Sequence, residues 1–326
     1  MSLPHILPKI LLTRPWPEAA EAWLRERFEV RVNTAAPLTA VQLIEAMRNY
    51  DALCPTVTDK LTAEVLGTAD ARVRMIGNFG AGFEHIDVAA ARAAGIAVSN
   101  TPDVLTDATA DIALLLMLMT SRRASEGERQ LRAGGWKGWG TTALMGQSLD
   151  GKTLGLIGFG RIAQATARRA QAALGMKIIY HSRKPVVAEI EQAFAADYCA
   201  TADELIARSD VVSLHCPGGA ETFHLMDERR LRLMKPTAIL INTARGSVVD
   251  EPALVRILHE RVIWAAGLDV YEAEPSVHPD LLGLDNAVLL PHLGSATVET
   301  RTKMGLRAAA NVDAFFRGEP LLDPIA

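Results

Sequence analysis

The stretch Thr153-Leu154-Gly155-Leu156-Ile157-Gly158-Phe159-Gly160-Arg161-Ile162-Ala163 limits the possible folds of this chain more than any other. An apolar run ends in a Gly-x-Gly turn, and a helix-forming segment follows without a gap. Such a run suits a strand buried on both faces of a parallel sheet. Gly158 can take the backbone angles of a tight turn, and Gly160 lets a pyrophosphate approach the backbone. The helix then opens with unpaired N–H groups and the positive end of its dipole. The third small position of the fingerprint is filled by Ala163, which the pattern permits. Strand, glycine turn and helix together predict a dinucleotide site with Gly158, Phe159, Gly160, Arg161 and Ile162 at the phosphates.

The same alternation runs through the rest of the chain. Before residue 104, strands are expected at Lys9–Thr13, Glu29–Asn33, Ala52–Pro55, Val73–Asn78 and Ala97–Asn100. Helices are expected from Pro17 to about Arg27, after the capping-box spacing Thr39-x-x-Gln42, and over His85–Ala94 before Gly95. From Thr153 onward, strands are expected near 154–158, 177–180, 196–199, 210–215, 238–243, 265–270 and 287–291. Thr201-x-x-Glu204 and Asp250-Glu251-Pro252 mark helix starts among them. Strands separated by helices predict an α/β protein with parallel sheets covered on both faces. A length of 326 residues predicts two such domains.

A helix from Thr106 to about Arg122 is apolar nearly all round, which predicts burial between domains or subunits. Arg132–Met145 is glycine-rich, carries Trp136 and Trp139, and has no period. It reads as an irregular loop with a functional or interface role. The last helix, about Thr297 to Arg317, lies beyond the final strand of the second sheet.

Several classes of function are disfavoured. A formal net charge of -4 gives no electrostatic case for nucleic acid or an anionic membrane. The longest apolar run, Ile112 to Met119, is far short of a membrane span. The N-terminus, with Pro4 and Pro8, lacks the pattern of a signal peptide. Cys54, Cys199 and Cys216 are odd in number and widely spaced, which suits reduced cysteines in the cytoplasm better than disulfides or a metal site.

The second strand of the later sheet shows which dinucleotide is expected. A NAD site usually places an Asp or Glu there to bond the ribose. Here Lys177–Tyr180 runs into His181-Ser182-Arg183-Lys184, with no carboxylate. A hydroxyl and cationic groups suit a 2′-phosphate. The turn predicts NADP(H) as preferred cofactor, with NAD(H) as the alternative.

Ligands of open α/β sheets gather beyond the carboxyl ends of the strands. Three successive strands end there in Ala244-Arg245-Gly246, Tyr271-Glu272-Ala273-Glu274-Pro275 and His292-Leu293-Gly294-Ser295. An Arg, a Glu and a His therefore converge where a nicotinamide should end. Arg245 can bind a carboxylate and polarise a carbonyl. His292 can give or take the proton, and Glu274 can orient the ring and favour its charged form. The Asn78-Phe-Gly-Ala-Gly82 loop follows a strand of the first domain, and its backbone N–H groups could hold a substrate carboxylate.

At these residues the sequence resembles a known family. Asn242-Thr-Ala-Arg-Gly-Ser-Val-Val-Asp250, Gly267-Leu-Asp-Val-Tyr-Glu-Ala-Glu-Pro275 and Pro291-His-Leu-Gly-Ser295 resemble signatures of the D-isomer-specific 2-hydroxyacid dehydrogenases. Gly158-x-Gly160, Leu214-His-Cys-Pro217 and Asn100-Thr-Pro-Asp-Val-Leu-Thr106 fit the same family. The resemblance implies a discontinuous flavodoxin-like substrate domain over residues 1–103 and 296–326. It implies a Rossmann cofactor domain over residues 104–295, an active site in the cleft, and a homodimer. It places catalysis on Arg245, Glu274 and His292 and supports substrate contacts at Ala81 and Gly82, which the loop reading extends to Gly80. It puts Asp269 at the nicotinamide amide, and Thr109, Cys216, Pro217, Thr243, Ala244 and Gly294 at the cofactor.

The His181–Lys184 turn and the Asn78–Asp87 segment resemble the glyoxylate/hydroxypyruvate reductase branch, which implies small 2-oxo acids as substrates. Trp136 or Trp139 could close the pocket from a partner subunit, or simply pack at the surface. Other readings stay open: a dehydrogenase for a bulkier 2-oxo acid using NADH, and a non-catalytic dinucleotide sensor like the corepressors related to this family. Formate dehydrogenases share the fold but carry Gln where this chain has Glu274.

Overall fold

The computed structural model describes residues 7–325, so the part of the N-terminal reading that rests on Pro4 lies outside them. Two compact units result. One comprises the chain through Leu105 together with the chain from Ala296 onward, and the other spans Thr106–Ser295.

The first unit begins β1 (Lys9–Leu12), α1 (Glu18–Arg25), β2 (Glu29–Val32), α2 (Ala40–Asn49) and β3 (Ala52–Cys54). It continues α3 (Ala63–Leu66), β4 (Met75–Gly77), α4 (Val88–Ala93) and β5 (Ala97–Ser99). Its five-stranded sheet has the order β2-β1-β3-β4-β5, and every pair is parallel. Strand side chains alternate between two cores. Ile10, Leu12, Ala52 and Met75 face one, with Leu24 of α1; Leu11, Leu53 and Ile76 face the other, with Leu43 and Met47 of α2. Burial on both faces explains why these strands are apolar runs rather than alternating ones. Each such Leu or Ile stabilises the unit by roughly 1.5–3 kcal/mol through the area it removes from water.

The capping box expected before α2 is present: Gln42 N–H donates to Thr39 Oγ1 and Thr39 N–H to Gln42 Oε1. The helix expected from His85 begins later, at Val88. Asp87 caps it by accepting Ala90 N–H, while the His85 carbonyl is taken by Leu61 N–H instead of a helical partner.

The second unit begins α5 (Thr106–Ser121), α6 (Ala124–Arg132), β6 (Thr153–Ile157), α7 (Arg161–Leu174), β7 (Lys177–His181), α8 (Ala188–Phe194) and β8 (Asp197–Tyr198). It continues α9 (Ala202–Arg208), β9 (Val211–Leu214), α10 (Glu228–Leu231), β10 (Ile239–Asn242) and α11 (Glu251–His259). It closes with β11 (Ala265–Leu268), α12 (Pro279–Leu282) and β12 (Ala287–Leu289). All seven strands read from the sequence are found in one parallel sheet, ordered β12-β11-β10-β9-β6-β7-β8. The last helix, α13 (Val298–Phe316), packs on α1 and β4 of the first unit, and Ala308, Ala309 and Val312 enter its core.

Both sheets are doubly wound. The first has the flavodoxin-like order, and the second has the Rossmann order with its strand order reversing between β6 and β9. Two helices differ in detail from the sequence reading. Within one chain, helix α5 is covered on one side only, and the expected burial of its other side would fall between subunits. Ala113, Leu116 and Met117 are covered, but Leu115 and Leu118 are exposed, because only one side meets the sheet and α7. Helix α6 was not expected, since Ala124–Arg132 buries no residue. It is supported by charge instead: Arg123 pairs with Glu126 in its first turn, and Arg129 and Arg132 lie in its last. Residues 133–145 are irregular, with Trp136 61% and Trp139 84% exposed.

Candidate active site

Strand β6 delivers the chain to Gly158 at φ 88°, the left-handed region that favours glycine. A second constraint acts there. A Cβ on Gly158 would stand 2.8 Å from the His215 carbonyl oxygen and 2.9 Å from Cys216 N. The turn is thus pressed against the end of β9, where the strand order reverses. Gly160 is the N-cap of α7, with no side chain capping it, and a Cβ there would meet nothing within 4 Å. Gln164 Nε2 donates to the Phe159 carbonyl at 2.9 Å, which takes that acceptor out of the anion's path. Ala163 is fully buried at the small position. Phe159 differs from the sequence reading in one respect: only its backbone is at the turn. Its ring is buried, stacked on Tyr180 with centroids 4.5 Å apart and edge-on to Phe194.

These residues fit a dinucleotide. The open, uncapped start of α7 offers donors to a pyrophosphate. Among the described residues, the buried Thr243 Oγ1 at the end of β10 has no partner, as expected of a group left for a ligand. Thr109, Asp269 and Gly294, read separately from the sequence, come together. Thr109 Oγ1 donates to the Gly294 carbonyl at 3.1 Å, and Asp269 accepts Leu293 N–H at 2.6 Å and Gly294 N–H at 2.8 Å. Burial pushes the Asp269 carboxyl up, and the two N–H groups and His292 act against that. Cys216 is a thiol rather than a thiolate, because burial pushes it to about 11. Desolvation brings His215 down to about 4, so the ring is neutral and pairs with Ser213 Oγ at 2.9 Å. Pro217 is exposed and Ala244 is buried.

The turn after β7 carries no carboxylate, but its groups are not equally placed. His181 Nδ1 stands 2.9 Å from the Cys199 carbonyl, so that nitrogen carries the proton and donates it there. Ser182 Oγ donates to the Lys184 carbonyl at 2.6 Å, which commits its proton within the turn. Arg183 and Lys184 extend outward; Arg183 is 90% exposed and only 3.5 Å from Glu221. The turn is anchored from below. Tyr180 Oη donates to Glu191 at 2.6 Å and accepts Val186 N–H at 2.9 Å.

Arg245, Glu274 and His292 stand at the ends of β10, β11 and β12. Asn242 shapes the first turn: its Nδ2 donates to the Arg245 carbonyl and its Oδ1 accepts Ala244 N–H. Arg245 Nη1 donates to the Ala244 carbonyl at 2.6 Å. His292 lies at φ 55°, unusual for any residue but glycine, and its N–H donates to the Asp269 carbonyl. Its Nδ1 is 2.7 Å from Glu274 Oε2, while Glu274 Oε1 accepts Tyr271 N–H at 2.9 Å. Burial pushes the Glu274 carboxyl up. The bond and charge of His292, the Tyr271 N–H and the charge of Arg245 outweigh it, and the carboxyl lies below its usual range. An ionised carboxylate can only accept, so Nδ1 carries the proton, and proton exchange is left to Nε2.

In the first unit, the Gly80–Gly82 loop turns its carbonyls inward. Asn78 Nδ2 donates to those of Gly80 and Gly82, and Asn100 Nδ2 to that of Ala81. The N–H groups of Ala81 and Gly82 meet no acceptor among the described residues.

With this geometry in hand, comparison with known proteins is decisive. The family profile described as "D-isomer specific 2-hydroxyacid dehydrogenase, NAD binding domain" matches residues 114–294. The chain belongs to the D-isomer-specific 2-hydroxyacid dehydrogenases. It is 45% identical over 319 residues to the glyoxylate reductase of Thermococcus onnurineus, covering 96% of this chain and 94% of that one. Among solved structures it resembles a glyoxylate reductase from Paecilomyes thermophila, with TM-score 0.86, 36% identity and 99% of each chain covered. It also resembles an NADPH-dependent glyoxylate/hydroxypyruvate reductase from Sinorhizobium meliloti, solved with NADP and malonate, with TM-score 0.87 and 37% identity. That match covers 98% of this chain and 97% of the other.

As a 2-hydroxyacid dehydrogenase the chain is a nicotinamide-dependent oxidoreductase. No helix among the described residues is long and apolar enough to cross a membrane. Some residues that shape the site were not singled out from sequence. Asn242 and Tyr271 lie inside the quoted motifs, and their nearness to Arg245 and Glu274 was the available signal. The Tyr271 hydroxyl bond to the Leu290 carbonyl at 2.9 Å had no such signal.

Proposed function

We propose that this 2-hydroxyacid dehydrogenase reduces small 2-oxo acids, glyoxylate and hydroxypyruvate foremost, and uses NADPH in preference to NADH. The observation that carries the chemistry is the 2.7 Å contact of His292 Nδ1 with Glu274, in reach of the Arg245 charge. The dihydronicotinamide, when bound, supplies the hydride that reaches the carbonyl carbon. Arg245 binds the carboxylate of the 2-oxo acid and polarises its carbonyl oxygen. His292 gives that oxygen the proton on Nε2, and Glu274 holds the ring and balances its charge. In oxidation the proton moves the other way. The Gly80–Gly82 loop serves the substrate carboxylate through the N–H groups of Ala81 and Gly82, that of Gly80 being taken by the Asn78 carbonyl. The cofactor is held by the start of α7 (Gly158 to Ile162), by Thr109, Cys216, Pro217, Thr243, Ala244, Asp269 and Gly294, and by the 181–184 turn.

Small substrates are favoured by the likeness to the glyoxylate reductases of Thermococcus onnurineus and Paecilomyes thermophila. NADPH is favoured by the exposed Arg183 and Lys184 and by the NADP-bound relative. The exposed Leu115, Leu118, Leu131, Trp136, Trp139 and Met145 all fall in one segment, which supports a homodimer built there. The free cysteines support a cytoplasmic location.

The test is an absorbance assay of NADPH and NADH with glyoxylate, hydroxypyruvate, pyruvate and bulkier 2-oxo acids. The highest kcat/KM is expected for glyoxylate or hydroxypyruvate with NADPH. A bulkier acid ranking first overturns the substrate reading, and NADH matching NADPH overturns the cofactor reading.

A further inference from the structure

Glu251 is the first residue of α11, yet its carboxylate does not face solvent as acids at that position usually do. The residue is 6% exposed. Its Oε1 accepts Glu272 N–H at 2.5 Å. Asp250, the residue before it, already caps α11 by accepting Ala253 N–H at 3.0 Å, so Glu251 is not needed as a cap. What it reaches is the turn after β11. There Tyr271 N–H holds Glu274, and the Tyr271 hydroxyl holds the Leu290 carbonyl two residues before His292. On the other side of the same peptide lies Gly246, next to Arg245. A Cβ on Gly246 would overlap the backbone of Tyr271 and Glu272. Two features of one short segment, the absent side chain of Gly246 and the carboxylate of Glu251, thus grip the Tyr271–Glu272 peptide. The Glu272 side chain points away, to His224 Nε2 at 2.9 Å.

We propose that Glu251 is a positioning residue for the reaction: by binding Glu272 N–H it ties the Arg245 segment to the Glu274 turn and fixes Arg245 and Glu274 relative to each other. The inference rests on the roles given above to Arg245, Glu274 and His292. A charge buried at this cost is retained when it satisfies a donor that would otherwise be orphaned. Burial pushes the Glu251 carboxyl up, and the backbone N–H groups of Glu272 and His278 act against it. The site needs an acceptor at a fixed reach more than it needs a charge.

The experiment compares Glu251→Ala, Glu251→Gln and Glu251→Asp in the full-length enzyme. Each is measured for kcat, KM for glyoxylate, Kd for NADPH by fluorescence titration, and Tm. Glu251→Ala is expected to lower kcat roughly tenfold or more, on the scale of small misplacements of reacting groups, with the NADPH Kd within about twofold. Glu251→Gln keeps one acceptor oxygen at full reach and should recover several-fold over Glu251→Ala. Glu251→Asp keeps the charge, loses the reach, and should resemble Glu251→Ala. If Glu251→Ala does not fold, the ranking of Gln above Asp decides the matter. A kcat within about twofold of wild type in Glu251→Asp overturns the proposal, as does Gln no better than Asp. The His292→Ala enzyme, assayed alongside, separates the two readings: if it too turns over normally, the catalytic assignment itself has failed.

Discussion

Phe159 lies face to face with Tyr180, centroids 4.5 Å apart and planes 22° from parallel. The middle residue of the glycine turn is thereby joined to the strand that leads into the 181–184 turn. In the cofactor site proposed above, the glycine turn and the 181–184 turn thus share one aromatic contact, backed by Phe194 and by the Tyr180–Glu191 bond. Phe159→Ala should cost about 3–5 kcal/mol of stability, as for large-to-small changes at buried aromatics. It should also weaken both dinucleotides, because the turn loses its support. Thermal melts with and without NADPH check this. A variant with normal cofactor affinity would show that the backbone of the turn holds itself.

Arg183 should decide cofactor choice more than its neighbours. His181 Nδ1 and the Ser182 hydroxyl already serve the chain's own carbonyls, whereas the only ion pair of Arg183 among the described residues, with Glu221, is open to solvent and readily exchanged for a phosphate. Arg183→Ala should therefore raise the KM for NADPH while leaving that for NADH nearly unchanged, and Ser182→Ala should do less. Charge-assisted hydrogen bonds from a guanidinium to a bound phosphate contribute on the order of 1.5–3 kcal/mol, so roughly a tenfold effect or more is expected. Steady-state kinetics with both cofactors measure it, and equal losses for the two would refute a role at the 2′-phosphate.

Much of this was legible in the sequence because it is local. Most strands are short apolar runs bounded by turn residues and are read from that pattern, while β2, Glu-Val-Arg-Val, is read from its alternation. Gly158 and Ala163 follow from the needs of one turn. The gathering of Arg245, Glu274 and His292 on one sheet edge is legible because each follows a strand, and strand ends share an edge of the sheet. What stayed hidden depends on distant partners. Nothing near Glu251 says that its carboxylate meets Glu272, and nothing near Phe159 says which way its ring points. Helix α6 escaped because charge pairs support it rather than an apolar stripe, and the exposed side of α5 escaped because composition does not say which face meets a partner.

Gly246 offers a test of how closely the strand ends must approach. Any side chain there would overlap the Tyr271 carbonyl group, and backbone cannot yield as a flexible side chain can. Gly246→Ala should push the Arg245 and Glu274 segments apart. A kcat loss of about 100-fold is expected, the scale for a misplacement near 1 Å, together with a lowered Tm. Activity and melting temperature on the purified variant suffice, and near-normal kcat would mean that the two loops have room to separate.

The Glu274 carboxyl gives a pH dependence whose sign is fixed by its environment. Its folded-state value lies below the usual range, since the opposing effects of His292, Tyr271 N–H and Arg245 outweigh burial. A group lowered on folding contributes stability that is fully present above its unfolded value, about 4.3. The contribution is lost as pH falls through the lower folded value. Wild type should therefore melt above Glu274→Gln at neutral pH, and the gap should narrow once pH drops below about 4. Melting curves of both proteins across that range are the measurement. A gap that persists unchanged into acid would assign the effect to shape rather than charge.

His292 carries the sharpest expectation. Its Nδ1 proton is committed to Glu274, so in the proposed reaction the proton given to the substrate oxygen must come from Nε2. His292→Ala removes that path without touching the glycine turn. It should slow reduction at least ~100-fold, the lower range for acid–base catalysis, with NADPH still bound. His292→Gln keeps a side-chain amide that can hydrogen-bond but carries no titratable proton. Its kcat should be as low as that of His292→Ala and should lose the dependence on pH that the imidazole imposes. Fluorescence titration of NADPH and pH profiles of kcat over both variants distinguish the outcomes. Turnover by His292→Gln near that of wild type would show that the side chain positions the substrate and that the proton comes from elsewhere.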